Sequence, residues 1–206
     1  MRGYRRIMRC AMAERFERAI ELIDEANSAD PTILTVDGRP RPKELAHAEI
    51  ATEWVRRLRP DADEALLLAA RAHHIRRWKV PRSSYPEGRK AYLRWRAGLQ
   101  KFHAQEAEAI LREAGYEAAT IERVQQIVQK HRLGRDPDVQ ALEDALCLVF
   151  LETQLAALIE QLPEETMVNV LLKTWKKMSE EARECALALK MRPADREFVL
   201  RVLSAP

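Results

Sequence analysis

Leu66-Leu67-Leu68-Ala69-Ala70-Arg71-Ala72-His73-His74-Ile75 is an apolar run that ends in two adjacent imidazoles. Side chains three and four residues apart share one face of a helix. His73 therefore follows Leu66, Ala69 and Ala70, while His74 is in phase with Leu67 and Ala70. Both rings are aimed at an interior. A buried polar group without a partner costs roughly 2–7 kcal/mol, so this stretch predicts a helix whose end meets other polar groups.

The remaining histidines read the same way. His47 shares a face with Ile50, Ala51, Trp54 and Leu58, and His103 lies among Leu99, Phe102, Ala107 and Ile110. His131 ends the stripe Val124, Ile127, Val128, and Asp144, beside Glu143, is in phase with Cys147, Leu148 and Leu151. All five histidines are thus expected to face inward. Histidine and aspartate are the residues a protein uses to hold divalent metals and move protons. The alternative for each ring is a core histidine satisfied by a hydrogen bond.

Helices are predicted from about Met12 to Ala26, Lys43 to Leu58, Glu64 to Ile75, Lys90 to Ala114, Ala118 to His131 and Asp138 to Ile159. Two or three more fill residues 163–206, with a break at Pro193. Three prolines, Gly38 and the breaker Ser28-Ala29-Asp30-Pro31 mark residues 27–42 as a loop. No strand of note is expected. The chain reads as all-α and as one domain, with a core at about 43–155 and a helical extension at 163–206.

Composition supports that reading and narrows the setting. Only 6 glycines among 206 residues, with 33% charged and 47% hydrophobic, suit packed amphipathic helices. A net charge of +3 is too small to imply nucleic acid by itself. Cys10, Cys147 and Cys185 form no C-x-x-C pair, which favours a reducing compartment over a disulfide framework. The basic start (Arg2, Arg5, Arg6, Arg9) lacks a signal-peptide apolar run, and no segment approaches the roughly 20 apolar residues of a span. A cytoplasmic protein is expected.

From Arg76 to Lys101 the chain carries nine Lys or Arg and one acid, Glu87, interleaved with Trp78, Tyr85, Tyr92 and Trp95. Guanidinium groups grip phosphate bidentately, and aromatic rings stack on bases. The segment predicts a phosphorylated ligand held by Arg76, Arg77, Arg82, Arg89 and Arg94 with Tyr85 and His131; the alternative is a solvated basic face. Lys173, Lys176 and Lys177 around Trp175 read as a solvated helix or a partner-facing one.

The order His47, His73-His74, then Asp144, with His103 and His131 between, resembles the HD superfamily of helical metal-dependent phosphohydrolases over about residues 43–155. The resemblance implies an HD-domain-like bundle with additional C-terminal helices. It also implies a divalent transition metal (Mn, Fe, Co or Zn) on His47, His73, His74 and Asp144, and hydrolysis of a nucleotide or other small phosphorylated molecule. A metal-bound water would attack the phosphoester, with Glu143, Glu106 or His103 carrying the proton. His74 departs from the pattern by standing where those proteins have a metal-binding aspartate. Histidine is itself a metal ligand, though it removes the bridging carboxylate.

A wider resemblance is carried by Ala19-Ile20-Glu21-Leu22-Ile23-Asp24, Val80-Pro81-Arg82-Ser83-Ser84-Tyr85-Pro86, Leu142-Glu143-Asp144-Ala145-Leu146-Cys147 and Lys173-Thr174-Trp175-Lys176-Lys177. These strings resemble the domain of unknown function 4202 family, which brings no established activity. Three functions are open at this point. They are the phosphohydrolase, a non-catalytic HD-like module that binds nucleotide or RNA through the arginine-rich segment, and a plain helical scaffold.

Overall fold

The computed structural model describes residues 2–36 and 38–204; the side chains of residues 2–11, including the basic arginines there and Cys10, lie outside the described residues. The order is α1 (Arg2–Ser28), β1 (Ile33–Val36), β2 (Arg39–Pro42), α2 (Lys43–Leu58), α3 (Glu64–Ala72), α4 (Arg89–Glu113) and α5 (Ala118–Val128). Then come α6 (Pro137–Thr153), α7 (Leu155–Gln161), α8 (Glu164–Lys177), α9 (Glu180–Ala188) and α10 (Pro193–Ser204). The fold is all-α apart from one small hairpin.

Capping chemistry places the helix starts. The Asp63 carboxylate accepts from the Leu66 N–H at 2.9 Å to begin α3. Asp136 accepts from the N–H groups of Asp138 and Val139 ahead of Pro137, which opens α6. Ser179 caps α9 through the Ala182 N–H. Helix α4 stops at Gly115, whose φ of 84° lets the Tyr116 N–H turn back to the Leu111 carbonyl at 2.9 Å.

Three elements differ from the sequence reading. Residues expected to be loop form an antiparallel hairpin, with Ile33 opposite Pro42 and Val36 opposite Arg39. Proline lacks an N–H but has an extended-compatible φ, so a two-stranded ribbon accepts it where a central strand would not. Asp30 ties this hairpin down, accepting from Thr32 at 2.9 Å and from Glu44 at 3.0 Å. Helix α3 ends at Ala72, before the histidine pair; Arg76 adopts φ 52° and donates its N–H to the Asn27 side chain at 3.2 Å. The long helix expected after Asp138 breaks at Gln154 (φ −124°), giving α6 and α7.

Helix α2 packs on α3 and α6, and α5 packs on α3 and α4, while α8, α9 and α10 close over α6 and α7. One buried cluster runs from Ala19 to Val202, with Leu66, Leu68, Leu111, Ile127, Leu142 and Leu148 fully enclosed. Each such side chain contributes about 1.5–3 kcal/mol relative to exposure. Among the described residues, no helix is long and apolar enough to cross a membrane.

Candidate functional site

A cavity of about 260 Å³ opens where the turn after α3 meets α4, α5, α6 and α8. Helix α4 supplies one wall, because Tyr92, Trp95, Arg96, Leu99 and His103 recur at helical spacing. The turn after α3 contributes His73, His74 and Arg77, and α6 contributes Glu143, Leu146, Cys147 and Phe150. Lys130 enters from the end of α5, and Thr174 and Lys177 from α8.

Four cations, Arg77, Arg96, Lys130 and Lys177, face this space with one carboxylate, Glu143. Lys130 donates to Oε2 of Glu143 and Lys177 stands 3.2 Å from Oε1. Burial opposes ionisation of Glu143, but the two ammoniums outweigh it and hold its pKa below the usual carboxylate range. Arg77 lies 5.3 Å over the Trp95 ring, whose indole N–H donates to the Val80 carbonyl at 3.0 Å and so pins the intervening loop.

The imidazoles are held neutral. His73 donates from Nδ1 to the Ala70 carbonyl at 2.7 Å, and His103 from Nδ1 to the Ile75 carbonyl at 2.9 Å. A carbonyl can only accept, so the ring proton sits on Nδ1 and Nε2 carries a lone pair. Burial, with Arg77 nearby, pushes the His103 pKa down to about 4. Burial and the adjacent His74 lower His73 well below the ordinary value, and burial with Arg77 and His103 nearby lowers His74 likewise, although 32% of the His74 side chain is open. The three rings form a row, with centroids 4.2 Å apart for His73–His74 and 5.6 Å for His74–His103. The Nε2 of His103 is buried and has no hydrogen-bond partner.

The structure brings only part of the predicted site together. His73, His74, His103, Glu143 and Arg77 line the cavity. His47 is buried on α2, but its Nε2 faces the Thr153 hydroxyl at 3.2 Å; that hydroxyl donates to Val149, so His47 donates to it. Asp144 accepts from Gln140 at 2.9 Å and from the Ser179 N–H at 2.8 Å, which tethers α6 to the start of α9. Among the described residues, no group of three or more His, Cys, Asp or Glu is arranged to hold a metal ion. The donors His47, His73, His74 and Asp144 do not fit a shared metal as they stand.

Several other expectations are redirected. His131 is exposed, because Lys130 adopts φ 58° at the end of α5 and the helical phase stops there. Arg76 is paired with Glu106 at 2.5 Å, outside the cavity. Arg82 donates to the Tyr85 carbonyl at 2.9 Å and staples its own loop, while Arg89 and Arg94 are exposed on α4. Sequence reasoning missed Arg96, Lys130 and Lys177 as pocket residues. Arg96 was legible, since it shares a helical face with Tyr92, Leu99 and His103; Lys130 depends on a left-handed residue and Lys177 on tertiary packing.

No curated protein matches the chain, and no solved structure does. A family described as a domain of unknown function (DUF4202) matches residues 17–199. That match spans all ten α-helices in whole or part, including every residue that lines the cavity, and the chain therefore belongs to the DUF4202 family.

Proposed function

We propose that this cavity binds a small phosphorylated molecule and hydrolyses it without a metal, inside an HD-like helical bundle. The observation that carries the reading is the orphaned, buried Nε2 of His103, a residue that lines one cavity together with four cations. A lone-pair nitrogen that costs stability when unpaired asks for a hydrogen-bearing group, and the cations ask for an anion. A phosphate ester with its attacking water supplies both. Arg77, Arg96, Lys130 and Lys177 would hold the phosphate oxygens. The dianion would also raise the proton affinity of His103 from about 4 toward neutrality, making it a competent base.

In this reading His103 takes a proton from the water, the water oxygen attacks phosphorus and the ester P–O bond breaks. The leaving oxygen takes a proton from Lys177, whose side chain is 43% exposed and can regain one from solvent. Helices α2, α3 and α6 pack against one another, and the HD-like reading rests on the sequence order His47, His73-His74 and Asp144 that these elements and the turn after α3 carry. Its metal is given up because His74 replaces the expected aspartate and Asp144 is bound to Gln140 and Ser179.

The test is phosphate release from a panel of sugar and nucleotide phosphates in chelator-treated buffer, with binding measured by calorimetry. Wild type is expected to turn over with chelator present, and His103→Gln to bind while losing about 10²–10⁴-fold in rate. Turnover that requires added metal and disappears in Asp144→Ala and His47→Ala would return the site to the metal mechanism. Absence of any phosphate binding would remove the proposal altogether.

A further inference from the structure

We infer that the ligand of this site carries a second anionic group, seated outside the histidine cavity in a basic groove between α4 and α8; this rests on the phosphate reading above. The groove has a volume of about 730 Å³ and shares Tyr92, Arg96, Thr174 and Lys177 with the inner cavity. The two spaces therefore meet along a common wall, and a molecule anchored inside would emerge into the groove.

The groove's chemistry specifies what emerges. Arg96, Lys173, Lys176 and Lys177 line it, and no carboxylate does. Among the described residues, Arg96, Lys173 and Lys176 have no ion-pair partner, in contrast to Lys177, which is held by Glu143. The C-terminal dipole of α8 favours cations at Lys176 and Lys177, but it does not account for Lys173 or for Arg96 on another helix. Between the cations lie Tyr92, 41% exposed, and Leu133, 39% exposed. Exposed large apolar side chains next to unpaired cations suit an organic body bearing a charge, and a chain of phosphates alone would leave them uncovered. The ligand class is a phosphate ester whose body carries a further phosphate or carboxylate, of which a nucleoside 3′,5′-bisphosphate is a representative probe.

The experiment is calorimetric titration of the full chain with inorganic phosphate, a nucleoside 5′-monophosphate and the matching 3′,5′-bisphosphate at one ionic strength. The bisphosphate is expected to bind roughly tenfold more tightly than the monophosphate, equivalent to about 1.4 kcal/mol. The double variant Lys173→Ala, Lys176→Ala should lower the bisphosphate-to-phosphate affinity ratio toward that of the monophosphate. Both lysines are exposed, so the substitutions leave the fold intact, as a melting curve would verify. If phosphate binds but the bisphosphate gains nothing, or the double variant keeps the gain, the outer site is wrong while the inner one stands. If none of the three binds, both fail together.

Discussion

His103 donates its Nδ1 proton to the Ile75 carbonyl at 2.9 Å, and this one bond determines the chemistry of the cavity. It aligns the ring, assigns the tautomer and leaves a buried Nε2 lone pair with no partner. Ile75 is fully enclosed and immediately precedes the turn that Arg76 makes at φ 52°, so the acceptor is held by the core.

Stability should fall on mild acidification. The folded His103 pKa, about 4, lies below the unfolded value near 6.5. The stability it contributes is therefore fully present above about 6.5, where neither state binds the proton. It is lost as pH falls from there toward 4, because the unfolded chain protonates first. His103 alone accounts for on the order of 3 kcal/mol across that window, and His73 and His74 act in the same direction. Urea melts at pH 7.5 and pH 5 measure it; curves that coincide would contradict the buried neutral imidazoles.

Glu143→Gln should strengthen anion binding. Glu143 occupies both Lys130 and Lys177, so the native cavity contains its own competitor for phosphate. Removing its charge frees two cations and should tighten phosphate binding several-fold, with a loss of about 1–2 kcal/mol in unliganded stability because both lysines remain partly solvated. Calorimetry and melting with and without phosphate give both quantities. Weaker binding in the variant would show that Glu143 assists the anion.

Asp144→Ala should act on stability and not on the ligand. Its carboxylate joins Gln140 to the Ser179 N–H, and losing buried charge-assisted hydrogen bonds costs about 2–3 kcal/mol. Phosphate affinity at a temperature where the variant is folded should match wild type. Affinity that collapses while the melting temperature holds would place Asp144 in the site.

Asp136 anchors a second network at the start of α6. It caps the helix, and Arg123 bridges it at 2.6 Å and also reaches Asp138, which Arg59 meets at 3.1 Å. The Arg123 guanidinium, against a smaller penalty from burial, pulls the Asp136 pKa down to about 2. Its contribution is present above the unfolded value near 3.9 and disappears as pH falls through about 2. Asp136→Ala should cost about 2 kcal/mol at neutral pH, with the deficit narrowing in acid; an equal deficit at pH 2 would contradict the pairing.

Helix positions were legible because apolar periodicity and caps are local: Lys43–Leu58 is α2 as read from the pattern, and Gly115 ends α4. The inward aim of His47, His73 and His103 followed from the same periodicity, and all three are buried. His131 shows where phase fails, since α5 ends at Val128 and left-handed residues at Lys130 and Arg132 flank the ring. The hairpin at residues 33–42 was hidden because proline signals a break locally while its pairing is set by Asp30 and α2. The cations of the cavity were the least legible, because Lys130 and Lys177 arrive from separate helices and meet only through Glu143.

The central claim is that His103 presents an unprotonated Nε2 to an anion held by the surrounding cations. Imidazole nitrogen NMR of the labelled chain, titrated with inorganic phosphate at pH 7, tests it directly. The free protein should show the Nδ1–H tautomer for His103, and phosphate should shift its Nε2 resonance toward the hydrogen-bonded or protonated position. An Nε2–H tautomer in the free protein, or an Nε2 resonance that phosphate leaves unmoved, would contradict it.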